Sequence, residues 1–370
     1  MPEQKINIEQ IEKTIFKTSN YKLGISLEYF KEIALQRKME DCFSWGVKEL
    51  DESGGLLLPG TFNIIGGTHG VGKTTFITQL VEVNAKDKPI LFCPLEMGIP
   101  YVLMSRAINL YNTKAEAEAL PILTYGDAED GRINEPELLK AKPLFNKCVE
   151  EVYETEDHMR LDMPDDYSFE RLEELILAYI AEGVEMFVID HVHCLHVTEE
   201  GDNVFFTRVA KRLREMAVEF SVCILAVVQL TKEGNDPNKQ ISNASFKGTS
   251  EWTSNAYRSV IITKPIPPAL IKSDMAPFIA AYNLANGTSL DHKHVAHEKA
   301  IEYLEDRFRE SSMGIREVTF TKSRGRNEGT HTVNATKGSF NYNHYGKHVF
   351  DKLKPDNLIS GPIGNISLHR

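Results

Sequence analysis

The sequence holds no apolar run approaching the roughly 18 residues that a membrane-spanning helix needs, which argues against a helical membrane protein. Cysteine is sparse. The five residues Cys42, Cys93, Cys148, Cys194 and Cys223 are scattered and form no CxxC pair, so a disulfide framework is not expected. Cys93, Cys194 and Cys223 fall in apolar, strand-like runs and read as reduced packing residues. Positive charge is in deficit as well, with 42 Lys and Arg against 53 Asp and Glu, a formal net charge of −11. That balance excludes a protein that coats nucleic acid by general attraction, although it leaves room for a local basic channel formed by a few loops. The opening residues lack the basic, apolar and small-residue regions of a secretory signal, and a cytoplasmic location is the expectation.

What is present is a hydrophobic content of 42% over 370 residues, enough for one large domain or two ordinary ones. Within it, Gly67-Thr68-His69-Gly70-Val71-Gly72-Lys73-Thr74-Thr75 follows the β-branched run Thr61–Ile65 and opens into an amphipathic run with Phe76, Ile77, Leu80 and Val81. Glycines between a strand and a helix form a phosphate-binding loop. Successive backbone N–H groups turn inward around a polyphosphate, and the helix adds its first-turn amides and positive dipole end. Lys73 is then the residue that reaches the β- and γ-phosphates, and the Thr74 hydroxyl a ligand of Mg²⁺.

Further apolar runs fit buried parallel strands: Pro89–Cys93, Val184–Ile189, Ser221–Val228 and Arg258–Thr263. Three polar residues stand at their carboxyl ends. Glu96 is either a solvated loop carboxylate or placed to orient a water against a γ-phosphate, Asp190 is placed to hold a Mg²⁺ ion opposite Thr74, and Gln229 to sense the γ-phosphate. Between these runs, residues 99 to about 158 read as helical and acidic, and Ser168 as the N-cap of a helix that stops at Gly183. His191, His193 and His196 alternate as if on one strand face and invite a metal-binding reading. The plainer expectation is that they line the crevice, with His193 touching the phosphate end or a neighbouring strand. His292, His294 and His297 read as a solvated helical face.

Residues 1 to about 42 read as an amphipathic helical arm, packed either on its own domain or on a neighbouring subunit. Residues 198–207 read as a loop before a basic helix, and 232–249 as a second polar loop biased positive by Lys232, Lys239 and Lys247. Residues 264–315 read as a helical insertion within a domain spanning 43–345, with 346–370 as a tail. Arg316–Lys322 alternates like an antiparallel edge strand, followed by a closing hairpin from Thr332–Ala335 and Ser339–Tyr342. Its turn carries Lys322, Arg324 and Arg326, either a solvated tip or a source of an arginine finger for another subunit's nucleotide site.

In order and spacing, the segments GGTHGVGKTTF, LFCPLEMG, FVIDHVHCL, VVQLTK, FKGTSEWTSNAYRSVII and TKSRGRNEGT resemble those of the DnaB-like replicative helicases, which include phage helicases and the mitochondrial Twinkle helicase. The resemblance implies a RecA-like P-loop NTPase core of α/β class, with a mainly parallel twisted sheet flanked by helices and a C-terminal antiparallel hairpin. It implies an ATP- and Mg²⁺-dependent ring, expected as a hexamer, that moves on single-stranded DNA and unwinds duplex. By the same resemblance Glu96 is the catalytic glutamate, Asp190 the Mg²⁺-linked aspartate, and Gln229 the γ-phosphate sensor. Lys322 and Arg324 are the pair supplied across the subunit interface, with Arg326 a second finger candidate. Lys232, Lys239, Lys247 and Gly248 belong to loops that face DNA. His191 and His193 depart from the family's aromatic or amide-rich pair after the aspartate. The family's primase domain is not found before Phe43, so a separate primase, polymerase or loader is the expected partner. A RecA-like recombinase or a regulatory ATPase indifferent to DNA are the competing readings.

Overall fold

The computed structural model describes residues 38–154, 158–232, 234, 242–264, 279, 283, 287, 289, 315–324, 328–336 and 339–342. The N-terminal arm before Lys38, most of the 264–315 segment with its three histidines, Lys239, Arg326 and the C-terminal tail lie outside them. Two compact units are formed, Met1–Phe43 and Ser44–Arg370. Of the first, a single 3-10 turn is described, Met39–Asp41, in which the Lys38 N–H donates to the Asp41 carboxylate at 2.9 Å.

The second unit is built on a sheet of nine described strands: β1 (Thr61–Gly67), β2 (Ile90–Cys93), β3 (Met159–Leu161), β4 (Met186–Ile189), β5 (Cys223–Val227), β6 (Arg258–Thr263), β7 (Ile315–Ser323), β8 (Gly329–Thr336) and β9 (Ser339–Tyr342). Their spatial order is β3-β2-β4-β5-β1-β6-β7-β8-β9. The first six run parallel, and the last three attach antiparallel. The described helices are α1 (Lys48–Gly54), α2 (Lys73–Asn84), α3 (Ile99–Ala117), α4 (Tyr125–Glu129), α5 (Lys142–Glu154), α6 (Phe169–Ala181), α7 (Asp202–Glu219) and α8 (Glu251–Asn255).

All the parallel strands except β3 are buried on both faces, which is why they stand out in the sequence as predominantly apolar runs. One alternate set (Phe62, Ile64, Leu91, Phe187, Ile189, Ile224) packs with Leu172 and Ile176 of α6 and Val209, Leu213 and Met216 of α7. A satellite core joins α3 and α5, where Tyr111 meets Phe145 edge to face at 6.0 Å. The N-cap predicted at Ser168 is present, its hydroxyl accepting from the Arg171 N–H at 3.3 Å.

Four features differ from the sequence expectation. β3 has no counterpart in it, since three residues with a charged one in the middle give no periodic signal; the strand is nevertheless paired in parallel with β2. The predicted loop 198–207 is mostly helix, because α7 begins at Asp202 after Gly201, and Phe205 and Phe206 bury on the same face as Val209 and Ala210. β7 is no edge strand, being flanked by β6 and β8. The residues after Asp190 do not extend β4 but turn into a 3-10 helix, Val192–Cys194, so the three histidines share no strand face.

Candidate functional site

The parallel arrangement brings the carboxyl ends of β1, β2, β4 and β5 to one edge, and the predicted residues converge there. β1 ends at Gly67, where any Cβ would lie 2.8 Å from the Ile262 carbonyl oxygen and 2.9 Å from Lys73 Cγ, so only glycine permits this approach. The loop then turns through Gly70 (φ +65°) and Gly72 (φ +92°), the latter capping α2 in the left-handed region. Thr68 and Val71 are tied by backbone bonds to Ile262 and Thr68, respectively, while His69 is exposed. Lys73 lies over this loop with its ammonium 3.2 Å from the Gly67 carbonyl and 3.5 Å from that of Thr68. Burial pushes its pKa down, and the charges of Asp190 and Glu96 push it back up.

Asp190 follows the last residue of β4 and is buried. Its Oδ2 accepts from the Thr74 hydroxyl at 2.8 Å, and its Oδ1 is enclosed without any hydrogen-bond partner. Burial raises its pKa to about 6, partly countered by Thr74. An enclosed carboxylate oxygen beside a hydroxyl at a helix N-terminus is a hard-oxygen donor set that suits a small divalent cation, so the residues present fit Mg²⁺. Thr75 is the next helical residue, half-buried beside them.

Glu96 stands three residues beyond β2 and is tied in place by its N–H, which donates to the Asp190 carbonyl at 3.1 Å. Its carboxylate lies 3.3 Å from His191 Nε2, and the Gln229 amide nitrogen lies 3.0 Å from that same ring nitrogen. Burial lowers the His191 pKa, with Glu96 acting in the opposite sense. His193, packed on Phe206 at 4.5 Å, accepts from the Gln229 N–H through Nδ1 (3.3 Å) and donates from Nε2 to the Lys247 carbonyl (3.1 Å). This pairing sets the neutral Nε2–H tautomer, in keeping with a pKa pushed down to about 4 by burial and by His191. His196 points elsewhere, against Tyr167 at 5.9 Å. Among the described residues no group of three or more His, Cys, Asp and Glu is placed to hold a metal ion, and the three histidines are not brought together.

Residues 229–231 and 245–247 are stitched together: Lys247 N–H donates to the Gln229 carbonyl (2.8 Å), Thr231 N–H to Ser245 (2.7 Å), and Leu230 bridges Phe246. Lys232 and Lys247 lie on this platform and Gly248 follows at φ +100°. Lys322 and Arg324 are not with the nucleotide loop. Ser323 pairs with Arg258, the first residue of β6, whereas Gly67 pairs with Ile262 near its end. Arg324 is therefore displaced by about 15 Å along the sheet from the phosphate loop of its own chain. Lys322 donates to the Thr253 and Ser254 carbonyls, and burial lowers its pKa. Arg324 is exposed.

One cation at the loop escaped the sequence reading. Arg316, at the start of β7, donates through Nε to the Val71 carbonyl at 2.9 Å. It sits there because β7 runs antiparallel to β6 and so begins at the crevice edge, a consequence of strand register that single-sequence alternation does not reveal.

The sequence and the fold have counterparts among known proteins. A family model described as the DnaB-like helicase C terminal domain matches residues 43–246. Among solved structures, one described as an ATPase domain is similar with a TM-score of 0.61 and 14% identity, covering 85% of this chain and 96% of that one. A DnaB-like replicative helicase, studied with its primase interactions, gives a TM-score of 0.60 and 13% identity over 85% of this chain and 65% of that one. The RadB recombinase reaches 0.44 with 14% identity, over 81% and 99%. No curated protein matches.

Proposed function

The chain belongs to the family of DnaB-like helicase C-terminal domains, a replicative DNA helicase, and from that premise we propose how its residues divide the work of an ATP-driven motor on single-stranded DNA. The observation that carries the reading is the pairing of Thr74 and Asp190 at 2.8 Å, with Asp190 Oδ1 left for a cation beside the phosphate loop. ATP is the substrate, held by the amides of residues 67–75 and by Lys73. Thr74 and Asp190 would hold Mg²⁺, whose charge, when bound, offsets that on the phosphates. Glu96 orients a water and accepts its proton as the water oxygen bonds to the γ-phosphorus and the bond to the β-phosphate oxygen breaks, releasing ADP and phosphate.

Gln229 is the γ-phosphate sensor. Lys232, Lys239, Lys247 and Gly248 contact the DNA backbone, giving a local cationic platform on an otherwise acidic chain. Lys322 and Arg324, remote from their own loop, complete the site of a neighbouring subunit in a ring, expected as a hexamer. A separate primase is the partner class, in line with the primase interactions of the similar helicase.

The test is unwinding of a forked DNA duplex with ATP and Mg²⁺. Strand separation that disappears in Glu96→Gln, with hydrolysis lowered about 10²- to 10⁴-fold and nucleotide binding kept, is the expected result. Filaments that exchange strands, or hydrolysis indifferent to single-stranded DNA, would overturn it.

A further inference from the structure

The proposed sensor and the proposed DNA platform belong to one connected piece of structure, joined directly by the Lys247 N–H to the Gln229 carbonyl at 2.8 Å and a second time through the side chain of His193. His193 lies on the 3-10 helix Val192–Cys194 that follows Asp190. Its two ring nitrogens meet two different segments, the Gln229 N–H at 3.3 Å and the Lys247 carbonyl at 3.1 Å. The Trp252 indole N–H donates to that same carbonyl at 3.1 Å. His193 is further wedged by rings, Phe206 at 4.5 Å and Trp252 at 6.3 Å. There is no slack at the loop: a Cβ on Gly248 would come within 3.0 Å of Phe206 and 3.4 Å of His193 Nε2. On the other side of Gln229, the side-chain amide lies 3.0 Å from His191, which in turn lies 3.3 Å from Glu96.

We propose that His193 is a positioning residue that couples the two sites: it adds a side-chain brace to the direct backbone bond between Gln229 and Lys247 and fixes their relative orientation, so that a strand held at Lys247 sets the geometry of Gln229, His191 and Glu96. The inference rests on the DNA-motor reading given above. Both hydrogen bonds need a group that accepts on one side and donates on the other. A neutral imidazole does this across its ring, and a glutamine amide can do it from one end. A phenyl ring keeps the stacking on Phe206 and Trp252 and loses both bonds. The two substitutions therefore separate hydrogen bonding from packing.

The measurement is steady-state ATP hydrolysis of the full chain with and without a single-stranded oligo-dT, for the wild type, His193→Phe and His193→Gln. The expected result is that the ratio of stimulated to unstimulated rate falls at least about tenfold in His193→Phe, the equivalent of about 1.4 kcal/mol in the activation barrier, and is largely restored in His193→Gln. A His193→Phe ratio equal to that of the wild type would overturn the proposal, and so would a fall of both rates by a common factor, which is the mark of a merely structural role. A wild type that is not stimulated by oligo-dT at all would overturn the motor reading and the coupling with it. Should His193→Phe fail to fold, the wild type decides through Trp252, one of two tryptophans, both fully buried; the other, Trp45, packs against Phe320 of β7 and makes no contact with His193 or Lys247 of the kind Trp252 makes, so the emission followed is that of Trp252. Its emission is expected to shift when oligo-dT binds and again when a non-hydrolysable ATP analogue is added; an emission unchanged by the analogue would overturn the proposal.

Discussion

Asp190 is a buried carboxylate with one oxygen unpartnered, a position that penalises its charged form. A raised carboxylate pKa means that protonation favours the fold. Its stabilising contribution is complete below the ordinary value of 3.8 and is lost as the pH rises through about 6. In metal-free buffer at pH 7.5 the ionised group therefore costs on the order of 2–3 kcal/mol. Asp190→Asn is expected to raise the thermal midpoint by roughly 3–4 °C at that pH and to leave it unchanged near pH 3.5. Addition of Mg²⁺ with nucleotide is expected to stabilise the wild type and not the variant. Differential scanning fluorimetry across pH, with and without Mg²⁺, checks all three; a variant no more stable than the wild type at pH 7.5 would mean that Asp190 is not held there against its own desolvation.

At the scale of elements, the site depends on how the parallel half of the sheet is sealed to the antiparallel half. The C-terminal carbonyl of α1, at Gly54, accepts from Arg258 Nε and from the Ser323 hydroxyl, each at 2.8 Å, joining the helix to β6 and β7 at once. Phe320 of β7 covers Gly54 so closely that a Cβ would come within 2.1 Å of its ring, and Phe320 also meets Trp45 edge to face at 5.6 Å. Gly54→Ala therefore drives an aromatic ring out of a closed core. A loss of about 1–3 kcal/mol is expected, read as a lower urea midpoint. Because β7 also carries Arg316 to the Val71 carbonyl, the same variant is expected to weaken nucleotide binding, whereas a purely local loss would leave that affinity unchanged.

At the scale of the whole molecule, the separation of Arg324 from residues 67–75 of its own chain is the geometry behind the proposed completion of the site in trans. Hydrolysis completed in trans predicts that Arg324→Ala binds ATP and hydrolyses it poorly. Mixing Arg324→Ala with Glu96→Gln subunits then restores part of the activity, through interfaces that draw Glu96 from one variant and Arg324 from the other. A titration of one variant into the other at constant total protein checks this, and activity that never exceeds the sum of the separate variants would exclude a shared site.

The phosphate loop, five of the six parallel strands and the acidic or amide residue beyond three of them were legible in the amino-acid order, because fully buried parallel strands are continuous apolar runs and glycine spacing is local. Gly67 to Thr75, Glu96, Asp190 and Gln229 needed no tertiary information to be singled out. The histidines did. Alternation placed His191, His193 and His196 on one imagined strand face, but the chain turns at Asp190, and their partners at Glu96, Gln229 and Lys247 lie far away in sequence. Arg316 and Arg324 likewise differ in sequence by only eight positions and in role by the length of a strand. Which of them meets the phosphate loop is set by the register and direction of β7 against β6, a property of pairing between distant segments that no local pattern records.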